Sequence, residues 1–116
     1  MWTSFDMKNE YLTMVKGDTL TFNMEIENMA RPLVSAYFSC KKDFDGNYVF
    51  KKSLGDGITL LSNTGGKGLY IVRVAPEDTA DLEAGQYRYD LEIGVDSDIY
   101  TVLKGILEIE EDVTRR

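Results

Sequence analysis

The chain has 116 residues, which is enough for one domain whose hydrophobic core needs no disulfide or metal for support. It contains no histidine and a single cysteine, Cys40, so histidine-based catalysis, histidine-ligated zinc and an intrachain disulfide are excluded. Twenty acidic residues against 13 basic ones give a net charge of −7, which disfavours binding to the phosphate backbone of nucleic acids.

The first strong pattern along the chain is an alternation of apolar and polar side chains, which is typical of a strand with one face in the core. In residues 19–27, the apolar members are Leu20, Phe22, Met24 and Ile26. Further apolar runs predict strands at residues 33–40, 48–54, 58–61 and 68–74.

Short turn sequences separate these predicted strands. Asp45-Gly46-Asn47 and Asp56-Gly57 fall between apolar runs, where Asp-Gly favours hairpin turns. Residues 63–68 form a glycine-rich connection. Turn signals about every 8–12 residues, without a long helical pattern, predict an all-β sandwich or barrel.

Residues 75–85 interrupt the β pattern. Pro76 near the start, acidic residues after it and Gly85 at the end are typical of one or two helical turns. Strands are predicted again at residues 87–93 and 99–109, with a bulge or kink at Gly105. The predicted fold is therefore one domain over residues 1–116, an antiparallel, immunoglobulin-like β-sandwich of roughly seven to nine strands. A short helical turn precedes its penultimate strand.

Leu82, Gly85 and Tyr87 have the spacing of a tyrosine corner. In immunoglobulin-like sandwiches, a tyrosine near the start of the penultimate strand returns its hydroxyl to a backbone group a few residues upstream. The leucine would anchor the crossover to the core, and the glycine would permit the tight backbone. This motif predicts a structural role for all three residues.

Two segments resemble ligand-binding motifs but lack their spacing. In residues 43–47, the glycine comes two places too early for a calcium loop, and Leu54 stands where the loop requires glutamate. The glycines of residues 65–68 lack the spacing of a phosphate-binding loop, and no helical pattern follows them. We therefore predict no catalytic, cofactor-binding or metal-binding residues, and no enzyme activity.

Two groups of residues are candidates for a binding surface. Tyr37, Tyr70 and Tyr100 lie on predicted strands whose outward face is ambiguous. Such tyrosines either fill the core or form a surface for sugar stacking or protein docking. The second group is the charged C-terminal segment, which includes Glu110, Arg115 and Arg116 and is suited to contact with a complementary patch on another subunit.

The order and spacing of several segments resemble the small immunoglobulin-like domains of tailed-phage and prophage structural proteins, including the N-terminal domains of phage baseplate upper proteins. The matching segments are Lys16-Gly17-Asp18-Thr19, the run from Leu82 through Gly85, Tyr87 and Tyr89 to Leu91, and Gly105-Ile106-Leu107-Glu108-Ile109 leading to Asp112-Val113-Thr114-Arg115. The resemblance covers most of the chain. It implies a non-enzymatic, multimeric building block of a virion, of the tail, baseplate or neck type.

Two functions from different classes follow from these patterns. The first is a virion component that is assembled in the bacterial cytoplasm and acts through contacts with other phage structural proteins or with copies of itself. The alternative is a carbohydrate- or surface-binding module of a bacterial protein, since the fold hosts both. The N-terminal sequence does not resemble a signal peptide and no run reaches about 18 apolar residues, which favours the first function and predicts no membrane span.

Overall fold

The computed structural model describes residues 8–27, 32–43 and 46–113. Within these residues the chain forms nine strands and one short helix. In chain order they are β1 (Lys8–Asn9), β2 (Leu12–Val15), β3 (Leu20–Ile26), β4 (Ser35–Lys41), β5 (Tyr48–Leu54), β6 (Gly57–Thr64), β7 (Lys67–Val74), α1 (Pro76–Thr79), β8 (Gly85–Val95) and β9 (Asp98–Glu110).

The described strands form one continuous mixed sheet in the order β1-β9-β8-β4-β5-β6-β7-β3, with β2 also paired with β9, and this sheet folds into an immunoglobulin-like β-sandwich. We call β6, β7 and β3 one layer, and the remaining strands the other layer. Pairing within each layer is antiparallel, except that β1 and β2 pair with β9 in parallel. A two-residue parallel pairing between β5 and β6 joins the layers. The predicted sandwich and the helical turn before the penultimate strand are confirmed, and the two N-terminal strands are additional.

The connection at Asp56-Gly57 differs from the predicted hairpin. Ser53 pairs with Gly57 and Leu54 with Ile58 in parallel, so the chain turns a corner here and passes from one layer to the other. Gly55 and Gly57 have φ angles of 85° and 97°, in the left-handed region that favours glycine. The Asp-Gly sequence signals a turn correctly, but positive φ angles at two glycines, two positions apart, produce a layer crossing.

Phe38 on β4 lies at the centre of the core and is fully buried. Its ring centroid is 5.3 Å from that of Phe22 on the opposite layer and 5.5 Å from that of Tyr89 on β8. The apolar residues of the alternating runs, with Leu82, are the predicted core. Of these predicted core residues, Leu20, Phe22 and Leu82 are only partly buried. The other predicted core residues are buried: Met24, Ile26, Phe38, Tyr87, Tyr89, Leu91, Ile93 and Leu107.

A largely buried ion pair fixes α1 to β5. The Asp78 carboxylate accepts a hydrogen bond from the Ala75 backbone N–H at 2.7 Å, and the same oxygen lies 2.7 Å from Lys52 Nζ. Lys52 pairs with Phe38 across β4 and β5, and its side chain is 12% exposed. A Cβ at Gly57 would lie 2.8 Å from Lys52 Cδ, so the glycine leaves room for the lysine stem.

Gly105 allows the N-terminal strands to lie close against β9. A Cβ at this position would lie 2.1 Å from the Glu10 carbonyl oxygen, so any side chain would displace the backbone between β1 and β2. The Tyr89 hydroxyl, on the residue paired with Gly105, donates a hydrogen bond to the same oxygen at 2.7 Å. The predicted bulge at Gly105 is wrong: the register shift falls at Leu91–Glu92, opposite Val102, and the glycine is needed for close approach.

Replacing Lys52 with methionine should lower the free energy of unfolding by about 3 kcal/mol, because the Asp78 carboxylate would stay largely buried without its cation. Urea unfolding measures the change. The control is Lys67→Met, since both side chains of the Lys67–Glu25 pair are 51% exposed and such pairs contribute less than about 1 kcal/mol. Equal losses in the two variants would contradict a special role for the Lys52–Asp78 pair.

Candidate functional site

The outer surface of β4, β5 and β8 carries a groove lined by polar and aromatic side chains. Because Phe38 and Cys40 point into the core, the side chains of Tyr37, Ser39 and Lys41 point outward. They line a shallow groove of about 370 Å³ with residues of the neighbouring strands. We call this surface the Tyr–Lys face, and its residues are Tyr37, Ser39, Lys41, Tyr48, Lys51, Arg88, Asp90 and Glu92.

The strand register arranges these side chains in rows across the sheet. In one row, Ser39 lies between Lys51 on β5 and Asp90 on β8. In the next row, Lys41 lies between Tyr48 and Arg88. Side chains opposite one another on adjacent strands are close enough to interact, so the rows bring together residues more than 40 positions apart in the sequence.

Lysine ammonium groups cover the tyrosine rings of this face. Lys51 Nζ lies 4.6 Å from the ring centroid of Tyr37 and 4.7 Å from that of Tyr48. Lys41 Nζ lies 4.7 Å from the ring centroid of Tyr48. These are cation–π distances, and each contributes on the order of 0.5–1 kcal/mol at an exposed site. The contacts hold both ammonium groups near the centre of the face.

Asp90 lies on the floor of the groove, where its carboxylate is partly removed from water. Burial raises the pKa of Asp90, and the nearby charges of Lys41 and Lys51 offset only part of this increase. The ionised carboxylate is therefore held at a cost in folding stability. Charged groups kept at such a cost are common at functional sites, because selection for stability alone would remove them.

The three tyrosines that the sequence singles out do not lie together. Tyr37 lies on the Tyr–Lys face and is 37% exposed. The prediction of a surface role is wrong for Tyr70, which is 1% exposed and whose hydroxyl accepts a hydrogen bond from Leu33 N–H at 2.8 Å. Tyr100 pairs with the buried Ile93 and packs against the core, so it also lies on the inner side of its sheet.

The structure describes only some of the candidate residues in the charged C-terminal segment. Glu110 is the last residue of β9 and is exposed. Glu111, which follows it, lies 3.6 Å from Lys16 Nζ in an exposed ion pair. Arg115 and Arg116 lie outside the described residues.

The residues proposed for a tyrosine corner lie where β8 begins. The Tyr87 hydroxyl donates a hydrogen bond to the Glu83 carbonyl at 2.7 Å, four residues upstream. Gly85 has a φ angle of 145°, and Leu82 packs against the core. Burial raises the pKa of Tyr87, with a smaller contribution from the negative charge of Glu83. This geometry fixes the chain between α1 and β8 and offers no chemistry for a ligand.

The described residues lack a metal-binding cluster, and their single cysteine is buried. No cluster of three or more carboxylate or cysteine side chains is arranged there to hold a metal ion. Cys40 is fully buried, and burial raises the pKa of its thiol to about 12, so the reactive thiolate is disfavoured. The described part of the chain also contains no helix long and apolar enough to cross a membrane.

Comparison with known proteins places the chain by its fold. No protein-family model and no curated protein matches the sequence. The structure is similar to part of a family 123 glycoside hydrolase from Clostridium perfringens, with a TM-score of 0.57, 12% identity, and coverage of 92% of this chain and 24% of that chain. At this identity the likeness concerns the fold alone, and the chain spans about a quarter of the length of the hydrolase.

Receptor and adhesion domains are also similar to the chain, at lower TM-scores. The natural killer cell receptor NKp44 has a TM-score of 0.49 and 15% identity, over 89% of this chain and 99% of that chain. The extracellular domain of the voltage-gated sodium channel β4 subunit has a TM-score of 0.42 and 10% identity, over 97% and 100%.

Of the residues on the Tyr–Lys face, the sequence identifies only Tyr37 as a candidate for a binding surface. It does not identify the others, which include Lys41, Tyr48, Lys51, Arg88 and Asp90. The available signal was the alternation itself: polar residues that alternate with the buried residues of two neighbouring strands must share the outer face.

Replacing Tyr87 with phenylalanine should lower the free energy of unfolding by roughly 1–1.5 kcal/mol, because the Glu83 carbonyl would lose its hydrogen-bond donor. Chemical unfolding measures the difference. Tyr11→Phe is the control, since Tyr11 is 55% exposed and should unfold like the parent. If Tyr87→Phe also unfolds like the parent, the hydroxyl contributes nothing at this corner.

Replacing Asp90 with asparagine should raise the melting temperature near pH 7. Because the folded-state pKa of Asp90 is raised, its ionised form is less stable in the folded than in the unfolded chain. This penalty is complete above the folded-state pKa and vanishes as the pH falls below the ordinary value of 3.8. Thermal unfolding at several pH values should therefore show a gain that disappears near about pH 3.

The control for this series is Glu27→Gln, which removes one negative charge at an exposed site away from the Tyr–Lys face. It separates the local effect from the general relief of net charge. Equal gains in the two variants would mean that the stabilisation comes from the net charge and not from the position of Asp90.

Proposed function

We propose that the protein is a non-enzymatic structural component of a tailed-phage or prophage virion and that it acts by binding another protein through the Tyr–Lys face. The observation that carries the binding part is the local charge. On the face, Lys41, Lys51 and Arg88 outnumber Asp90 and Glu92, whereas over the whole chain acidic residues outnumber basic ones by 20 to 13. A cationic face on an acidic chain is suited to docking an acidic protein surface.

The arrangement of the tyrosines favours a protein partner over a carbohydrate. Sugar stacking needs an open aromatic ring face, but the ammonium groups of Lys41 and Lys51 lie over the rings of Tyr37 and Tyr48. In protein interfaces, by contrast, tyrosine and charged side chains commonly act together at the centre of the contact. The groove is also shallow, which suits a protein surface better than a small ligand.

The virion part of the proposal is supported by the resemblance of the sequence to phage structural domains. The matching segments occupy the turn into β3, the corner and strand of β8, and the second half of β9. These segments shape the sandwich and lie outside β4 and β5. Under this proposal the chain is assembled in the bacterial cytoplasm and remains with the virion.

Reversing charge on the face should abolish binding to a structural partner. We expect the parent chain, co-expressed with each protein encoded beside it, to co-purify with at least one of them, and Lys41→Glu/Lys51→Glu to lose that partner by about tenfold or more in affinity. Lys67→Glu/Arg73→Glu on the other layer is the matched control, since it makes the same charge change at two exposed sites of β7. Thermal unfolding checks that all variants are folded.

Two results would contradict the proposal. Capture of no neighbouring protein, together with binding of the parent chain to a glycan array that the Lys41→Glu/Lys51→Glu variant loses, would favour the carbohydrate-binding module. Equal loss of the partner in Lys67→Glu/Arg73→Glu would show that the net charge, and not the Tyr–Lys face, controls binding.

A further inference from the structure

We propose that the Tyr–Lys face of one copy binds the acidic end of β9 of a second copy, so that identical chains associate head to tail. We define the acidic end as Glu108, Glu110, Glu111 and Asp112. The inference rests on the proposed function, because it names a second copy of the chain as the protein that the face binds.

Charge complementarity supports this pairing. Four of the five residues from 108 to 112 are acidic, and Glu110 and Glu111 are exposed. The ion pair between Glu111 and Lys16, at 3.6 Å, has a glutamate side chain that is 69% exposed, so it contributes little and exchanges readily. The Tyr–Lys face offers the opposite charge, with the ammonium groups of Lys41 and Lys51 already held in place by the tyrosine rings.

The spacing of the charges also matches. In a β-strand, alternate side chains lie on one side about 6.7 Å apart, and this applies to Glu108 and Glu110 of β9. On the face, Lys41 and Arg88 share one row, and Lys51 lies in the row two residues along the sheet, at the same repeat. With its strand running along β4, the acidic end would therefore present one carboxylate to each of these two cationic rows.

The two surfaces are separate parts of the same molecule. Glu108 pairs with Gln86, and the Tyr–Lys face begins at Arg88 on the same strand, so the two surfaces are neighbours that share no residue. When the face of each copy binds the acidic end of the next copy, the contact is heterologous, and it produces a ring where the rotation closes and a filament where it does not.

Neutralising either surface tests the contact. The face variant is Lys41→Gln/Lys51→Gln, and the end variant is Glu108→Gln/Glu110→Gln. At a concentration where the parent chain associates, light scattering should find each variant monomeric by itself. An equal mixture should form dimers and nothing larger, because the intact end of one variant binds the intact face of the other, and each remaining surface lacks two of the charges that form the contact.

The control variant is Lys67→Gln/Glu25→Gln, which neutralises an exposed pair outside both surfaces and should associate like the parent. The inference is overturned if the mixture stays monomeric, or if the end variant associates like the parent. It is also overturned, with the proposed function left intact, if the parent chain is monomeric at every concentration and the face still binds a neighbouring phage protein. Loss of both activities would overturn the proposed function as well.

Discussion

The two-residue period of the β-strand is the constraint on which this structure depends. Because Phe38 and Cys40 are buried in the core, the residues that alternate with them must face water on the outer side of β4. The same holds on β8, where burial of Tyr89 and Leu91 places Asp90 outside. The Tyr–Lys face is therefore a direct consequence of core packing, and a change of register by one residue would exchange the core with the face.

Lys52 is a charged residue at a position of β5 whose side chain points toward the core. It pairs with the buried Phe38 and would leave an ammonium group in the core, but Asp78 lies 2.7 Å away on α1. The carboxylate also caps the Ala75 backbone N–H, so one side chain satisfies two groups. This pair lies where β5 leaves one layer and β6 enters the other, so an ion pair helps to hold α1 at this corner.

Much of the fold can be predicted from alternation and turns, but the limits of that prediction are physical. In residues 68–74, apolar side chains occupy both faces of the strand, so the alternation of apolar and polar residues does not show on which face Tyr70 lies. β1 and β2 were missed because their partner, β9, is about 95 residues away in the chain, and the close approach that Gly105 permits is a tertiary contact. The site was largely missed for the same reason, since its rows combine residues from three strands whose register no local pattern specifies.

The charge distribution explains how an acidic chain can both stay apart from its copies and bind them. Two copies, each with a net charge of −7, repel one another at long range, but at physiological ionic strength charges separated by more than about 8 Å are largely screened. Opposite charges in direct contact lie about 3–4 Å apart, inside that distance, and are weakened much less. Added salt up to the physiological range therefore removes more of the repulsion than of the attraction. A cationic face of three residues is then sufficient to select an acidic segment, whereas in very dilute salt the same chain would be expected to remain dispersed.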